Sequence, residues 1–333
     1  MLLTINKIII MVSIETYESK NKSQWDSFID VSKNATFLFK RDFMDYHSSR
    51  FQDSSFLIFK DLELVALFPA NIEANNLYSH KGLTYGGLVV NENIKLNDFL
   101  EIFKSLLEFC NKNSFKKLFI KEIPSIYNSN FSNELDYLSF ITNSNIYRKD
   151  IISVIELNKK IKISKDRVQG YKRGVKNNLK IVETDNFKEF WNKILKPTLS
   201  RKHSVSPVHS IDEIEQLKSN FKKNIRQFNI YHMGNLVAGT TIFQTKNVIH
   251  VQYIGSNEDK NILGSLDFLF YNLINDTFSD CKFFDFGTSN EKEGRKINSG
   301  LLYWKEGFGA RSINQNFYQI NTADFEKLNN LMI

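Results

Sequence analysis

Near its C-terminus the chain reads Phe284-Asp285-Phe286-Gly287-Thr288-Ser289, then Asn298-Ser299-Gly300-Leu301, then Lys305-Glu306-Gly307-Phe308-Gly309-Ala310-Arg311. A strand end carrying one carboxylate is followed within a few turns of chain by glycine turns and a lysine. A carboxylate among phenylalanines is costly unless it is paired or faces a cleft. Glycines let backbone approach a neighbour closely or adopt left-handed turns. Core packing alone rarely asks for this combination, which marks a built site.

The block belongs to a chain of 333 residues, long enough for two domains of middling size, each burying its own core. Hydrophobic residues make up 42% and charged residues 24%, and 29 Phe stand against 4 Pro. These values exclude a disordered or linker-rich chain and predict a core rich in Phe. The formal net charge of +7 favours anionic partners such as nucleotides, coenzyme phosphates or RNA, without bearing on the fold. Cys110 and Cys281 are the only cysteines, so neither a disulfide framework nor a thiolate metal site is indicated, and both are expected to be buried and reduced. None of the six histidines forms an HxxxH pair, so no metal site is expected. Residues 2–14 are apolar in places, but Lys7 interrupts them, they are too short to span a bilayer, and no small-residue cleavage site follows. Translation could start at Met1 or Met11, and the expected location is the cytoplasm.

Periodicity gives the organisation. Residues 25–32 and 41–50 read as helices, and 55–59 and 64–70 as a hairpin around Asp61-Leu62-Glu63. Leu96, Phe99, Leu100, Phe103, Leu106 and Leu107 repeat at helical spacing, and 117–121 returns as a strand. The same order recurs: 225–232 and 236–244 flank Met233-Gly234-Asn235, 248–254 continues the meander, 266–278 is helical, and 283–286 is a strand. Leu64-Val65-Ala66-Leu67 and Leu236-Val237-Ala238-Gly239 fall at matching places, which hints at duplication. The expected division is residues 1–150 and 151–333. Between the halves, residues 164–180 carry Lys165, Arg167, Lys172, Arg173, Lys176 and Lys180 against Asp166 alone. This is either a solvated helix face or a site for phosphates or RNA. Gly170 and Gly174 lower its helix propensity.

Five motifs in order, Gln252-Tyr253-Ile254-Gly255-Ser256, Gly264-Ser265-Leu266-Asp267, Phe284-Asp285-Phe286-Gly287, Asn298-Ser299-Gly300-Leu301 and Lys305 to Arg311, resemble FemAB-like acyltransferases, which are double-domain members of the GNAT superfamily. Arg201, His203, Pro207 and His209 sit as in such relatives, and residues 79–87 look like the first-domain signature of a bacterial subgroup. The resemblance covers most of residues 20–320. It implies an α+β fold of two tandem GNAT-like domains, each a mixed, largely antiparallel sheet flanked by helices. The first would recognise the acceptor, the second would bind the acyl donor, and the acceptor would lie between them. Relatives include peptidoglycan bridge enzymes that use aminoacyl-tRNA and sugar N-acyltransferases that use acyl-coenzyme A, and both acylate an amine.

The leading expectation is an N-acyltransferase that moves an acyl group from acyl-coenzyme A to a nucleotide-linked amino sugar in surface-polysaccharide synthesis. Acyl-coenzyme A would be a co-substrate, with no permanently bound cofactor or metal. The runner-up is an aminoacyl-tRNA-dependent enzyme of peptidoglycan bridge synthesis, and the third reading is a non-catalytic RNA- or anion-binding protein. By the resemblance, the strand 248–254 splays from its neighbour and the backbone around Tyr253 and Ile254 takes the acyl carbonyl. Gly255, Ser256 and Gly264 would shape a loop cradling the coenzyme, with Ser265 capping the next helix beside the phosphate. The closely spaced glycines of the usual pyrophosphate motif are not evident, so an ordinary loop is the competing reading. Lys305 would polarise the acyl carbonyl, unless it is a surface lysine paired with Glu306 or Glu293. Asp285 orients a substrate group or caps its turn. His250, with a reference pKa of about 6.5, receives the leaving proton or is a structural histidine. For the acceptor, His80, Thr84 and Tyr85 would form a recognition loop, or else a rigid turn. Lys40, Arg41, Arg201 and His203 would clamp a diphosphate.

Overall fold

The computed structural model describes residues 12–203 and 205–332. The chain folds as two compact units. One runs through Tyr147 and is taken up again at Asn316, and the other is Arg148–Gln315. The expected second half, 151–333, therefore yields its final segment to the first unit. The cause is a strand that returns there, pairing Phe317 to Asn321 antiparallel with Lys121 to Lys117.

In the first unit the order is β1 (Val12–Thr16), α1 (Lys22–Asp30), α2 (Arg41–Met44), β2 (Phe56–Lys60), β3 (Glu63–Phe68), β4 (Asn71–Glu73), β5 (Asn76–Tyr78), β6 (Val89–Val90), α3 (Leu96–Lys112), β7 (Lys117–Lys121) and α4 (Glu134–Ile141). Strands β1-β2-β3-β6 form one antiparallel sheet, while β4, β5 and β7 belong to a second in which β5 and β7 are parallel. The residues expected on one face of α3 are buried: Phe99, Leu100, Phe103, Leu106 and Leu107 pack against Phe56, Ile58, Leu118 and Ile120, while Leu96 at the helix start is exposed. The helix expected over 41–50 is shorter, giving way to a 3-10 turn at Asp45–His47.

The second unit contains most of β8 (Asn145–Glu156), then α5 (Lys165–Lys176), β9 (Lys180–Thr184), α6 (Phe187–Phe190), α7 (Lys196–His203), α8 (Ile211–Asn220), β10 (Ile225–His232), β11 (Asn235–Gln244), β12 (Val248–Ser256), α9 (Lys260–Leu263), α10 (Ser265–Asn272), β13 (Phe283–Thr288), β14 (Asn290–Glu291), β15 (Lys296–Ile297), α11 (Ser299–Gly307) and the start of β16 (Arg311–Asn321). Its sheet has the order β8-β13-β12-β11-β10-β9, antiparallel throughout except for β12 with β13. The expected fold class, α+β with mixed sheets flanked by helices, is the one observed.

The hairpins β2–β3 and β10–β11 each turn on two left-handed residues, Asp61-Leu62 and Met233-Gly234. That geometry suits the twist of paired strands. The four-residue match lies on β3 and β11, the second strand of each hairpin, as expected of a repeated unit.

The predicted Phe-rich core is present in the second unit, where Phe270, Phe278, Phe284, Phe286 and Phe308 pack with Leu269, Leu273 and Ile249. Each such side chain contributes about 2 kcal/mol relative to exposure. Helix α5 closes onto α10 through two glycines. A Cβ on Gly170 would overlap Asp267 Oδ2, and one on Gly174 would overlap Phe268 Cβ. Close contact lets the Asp267 carboxylate accept from Arg167 Nη1 on α5 at 2.7 Å and from Trp304 Nε1 on α11 at 2.9 Å. The two glycines thus lower helix propensity in order to seat one helix on another. Gly170→Ala is expected to destabilise the fold by about 2 kcal/mol, overpacking outweighing the gain in helix propensity. Gly300→Ala, whose added methyl meets nothing closer than 3.8 Å, should be neutral or stabilising, and urea unfolding of both variants checks the contrast.

Candidate active site in the second unit

Strands β12 and β13 run together for three residue pairs only: Val248 with Phe283, Ile249 with Phe284, and His250 with Asp285. Beyond them β12 stays with β11 as far as Ser256, while β13 follows β8 to Thr288. Residues 251–256 consequently have no ladder partner on the β13 side. The splay expected for this strand is present, and it leaves backbone polar groups that a bound molecule can satisfy.

A charged cluster sits where the strands part. Asp285 is 1% exposed and both of its oxygens are engaged: Oδ2 lies 2.8 Å from His250 Nδ1, and Oδ1 accepts from the Gly287 N–H at 2.6 Å. Asp285 therefore orients a histidine and caps its turn at once. Gly287 has φ of 69°, and a Cβ there would come within 3.5 Å of His250 Cε1. In a neutral imidazole, a hydrogen on the Nδ1 that faces the carboxylate leaves the lone pair on Nε2. The turn after Asp285 points two carbonyls at Lys305, whose Nζ donates to Gly287 O at 2.9 Å and Thr288 O at 2.7 Å. Lys305 is 4% exposed. It is therefore no surface partner of Glu306 or Glu293, and two of its three N–H donors are spent on the turn. Burial pushes its pKa down to about 8, against the opposing pull of Asp285.

Further along β12, Tyr253 is buried and its hydroxyl lies 2.5 Å from His209 Nδ1. Burial raises this phenol to about 12. The pairing joins residues 44 apart, for which no local sequence signal exists. Ile254 packs partly into the core. Gly255 and its cross-strand partner Gly239 make a trough for a neighbouring helix: a Cβ would come within 2.8 Å of Ile194 on Gly255 and 2.7 Å of Phe190 on Gly239. Ser256 is buried, with its carbonyl accepting from Thr198 Oγ1 at 3.4 Å. The loop expected to cradle a coenzyme is partly helical, as α9. Gly264, at φ 70°, is pressed against the Gly170 carbonyl. It is Gly264, not Ser265, that occupies the cap of α10, with no side-chain cap bond, and Ser265 Oγ is buried without a partner among the described residues. The glycines read as cradle residues thus serve packing.

In the first unit the proposed acceptor residues are largely interior. Arg41 is 2% exposed, its guanidinium paired with Asp45 and Asp53 and lying 3.8 Å over the Tyr17 ring. Lys40 Nζ pairs with Asp30 at 2.6 Å and donates to Asp26 O at 2.6 Å. Neither cation is free for a diphosphate. Tyr85 is buried, its hydroxyl donating to Thr36 Oγ1 at 2.9 Å, so its ring cannot stack on a sugar. His80, at φ 61°, stacks on His47 with ring centres 5.0 Å apart. Burial and the nearby His47 and Arg41 push its pKa down to about 3, so it is neutral. Of His80, Thr84 and Tyr85 only Thr84 is exposed. Arg201 is exposed and paired with Glu258, and the His203 side chain lies outside the described residues.

Among the described residues, no group of three or more His, Cys, Asp or Glu is arranged to hold a metal, and no helix is long and apolar enough to cross a membrane. Cys110 is buried and Cys281 half-buried, both free.

No protein-family model matches the sequence, and no curated protein matches it. Solved structures do match in fold. FemX is similar over 95% of this chain and 99% of its own, with TM-score 0.67 and 9% identity. L-PGS from Bacillus licheniformis is similar over 92% and 93%, with TM-score 0.58 and 14% identity. A conserved protein of unknown function from Bacteroides thetaiotaomicron is similar over 93% and 100%, with TM-score 0.56 and 11% identity. The chain thus has a FemX-like fold, the one implied by the motif resemblance.

Lys305 gives this site a pH signature. Its folded pKa lies below that of an unfolded lysine, so between about 8 and 10.5 the unfolded chain binds more protons and stability gains a positive slope with pH. Lys305→Met should remove that component, and denaturant unfolding of both proteins across this window measures the difference.

Proposed function

We propose that the chain is an N-acyltransferase and that its second unit joins an acyl carbonyl to a primary amine at the mouth between β12 and β13. The observation that carries this reading is the His250–Asp285 pair at the point of parting, 2.8 Å apart. The Lys305 ammonium is held on the same turn, 2.7 Å from Thr288 O. The amine nitrogen attacks the acyl carbon, forming a C–N bond while the bond from that carbon to the leaving oxygen of an ester, or sulfur of a thioester, breaks. His250 Nε2 accepts the proton that the amine loses and passes it to the leaving atom. Lys305, with one N–H donor unspent, stabilises the oxyanion formed between the two steps.

The donor best supported is an aminoacyl ester of tRNA, and the acceptor a cell-wall precursor amine. Two observations favour it: the likeness to FemX extends over nearly the full length of both chains, and Gly255 and Gly264 are consumed by packing instead of shaping a coenzyme cradle. The exposed cations of α5, Lys165, Lys172, Arg173 and Lys176, suit a polyanionic donor. Acyl-coenzyme A with a nucleotide-linked amino sugar is the second reading, favoured by the unpaired edge of β12 leading into α10. Either donor places the work in the cytoplasm.

Incubation with aminoacyl-tRNA and acyl-coenzyme A donors, against nucleotide-linked amino sugars and lysine-containing cell-wall peptides, separates these readings by mass spectrometry. A mass gain from the tRNA ester is expected, and gain only from the thioester selects the second. Lys305→Ala and His250→Ala should each lower kcat by about a hundredfold, and wild-type rates in both would sink the site. Because the charged form of Lys305 acts, its contribution should fall as pH rises through about 8, whereas Lys305→Arg should keep its residual rate across that range.

A further inference from the structure

Strand β12 carries one residue more than its partner requires. Thr241 pairs with Tyr253 and Ile242 with Val251, so Gln252 is the extra residue of a β-bulge. Bulges next to active sites re-aim a side chain. The contacts of Tyr253 show where this one is aimed. Tyr253 meets Trp191 and His209. His209 also lies over Phe243, the cross-strand partner of His250. Tyr253 and His250 therefore share one face of the sheet. The Gln252 side chain reaches the Tyr253 hydroxyl, which puts its amide on that face as well.

The hydrogen-bond inventory leaves one end of this amide unmatched. The Tyr253 oxygen accepts from the His209 backbone N–H at 3.2 Å and lies 2.5 Å from His209 Nδ1. Gln252 Oε1 is buried with no partner among the described residues. A buried carbonyl oxygen without a donor is costly to leave unmade and is rarely kept. Whatever completes it must bring an N–H or O–H.

We infer that Gln252 is the positioning residue for the acceptor, its Oε1 taking one hydrogen of a primary amine while His250 Nε2 takes the other. This rests on the acyl-transfer reading and deepens it. A neutral primary amine has two hydrogens and one lone pair, and two acceptors on one face hold both hydrogens and turn the lone pair toward the acyl carbon. A hydroxyl acceptor has a single hydrogen and satisfies only one of the two. The site therefore selects amines over alcohols of the same shape, and the bulge is the device that supplies the second acceptor.

The test uses the full chain and two variants, Gln252→Leu, which removes the acceptor, and Gln252→Glu, which keeps an oxygen there. Calorimetry compares glucosamine with glucose, and alanyl-lysine with its 6-hydroxynorleucine twin. Wild type should prefer an amine over its alcohol by about fivefold to tenfold, Gln252→Leu should lose that preference, and Gln252→Glu should retain it. In turnover, Gln252→Leu should raise KM for the amine by the same factor while leaving KM for the acyl donor unchanged. Equal affinity for amine and alcohol in wild type, no binding of either amine, or a preference that survives in Gln252→Leu overturns the inference. Binding needs no turnover, so amine preference without acyl transfer from any donor would count against the proposed reaction and not against Gln252. Acyl transfer without amine preference would do the reverse.

Discussion

The second unit is organised around one buried carboxylate. Asp285 sits on a strand of phenylalanines, where an unpaired charge would cost several kcal/mol, and it persists because both oxygens are bonded. One holds His250 on the neighbouring strand and the other holds the Gly287 N–H of its own turn. That turn in turn directs the Gly287 and Thr288 carbonyls at Lys305 on α11. A histidine, a turn and a buried lysine are thus fixed in relation to one another by a single side chain. Three parallel residue pairs are all that β12 and β13 share, and the last of them is His250 with Asp285, so this contact also marks where the strands separate.

The α5–α10 packing supports this arrangement from the opposite face of the sheet. Phe284 and Phe286, on either side of Asp285, point into the core that α10 and Phe308 fill. Asp267 ties α10 to α5 and to α11 through Arg167 and Trp304, and α11 carries Lys305. Desolvation raises the Asp267 pKa against the pull of Trp304 and Arg167. The two buried aspartates accordingly act on the two ends of the same lever: Asp267 sets where α11 lies, and Asp285 sets where the turn beneath it lies. Glycine at 170 and 174 is the condition for the first, since a methyl group at either would push α5 off α10.

Much of this was legible in the chain. The strand, helix, strand order and its recurrence follow from apolar spacing, and a carboxylate on a Phe-rich strand followed by a lysine points to a site because both are out of place. What could not be read was depth. Arg41, His80 and Tyr85 have the chemistry of ligand-binding residues, yet all three are interior, and nothing local distinguishes an arginine that meets Asp45 and Asp53 from one that meets a diphosphate. Glycine was ambiguous in the same way. Gly255, Gly264, Gly170 and Gly174 all answer to close packing, and the atoms that crowd them come from elements distant in sequence. Strand β16 went unread because its polar residues, Asn314, Gln315, Asn316 and Gln319, mask the alternation that Phe317 and Ile320 would otherwise show.

The first unit offers a built-in comparison, because it repeats the parting of strands without the histidine–aspartate pair. Strand β5 runs parallel to β7, and the chain then leaves it to reach β6 on another sheet. At this parting no histidine–carboxylate pair stands on the two strands. Ser79 Oγ accepts from the Lys121 N–H at 3.0 Å, the Gly86 N–H donates to Lys121 O at 2.6 Å, and Lys121 Nζ donates to Leu83 O at 2.5 Å. The backbone groups that stay unpaired along β12 are here closed by the chain's own loop. The open edge is therefore kept in the unit where a buried aspartate, an oriented histidine and a bulged strand coincide, and the corresponding groups of the other unit are spent on its own stability.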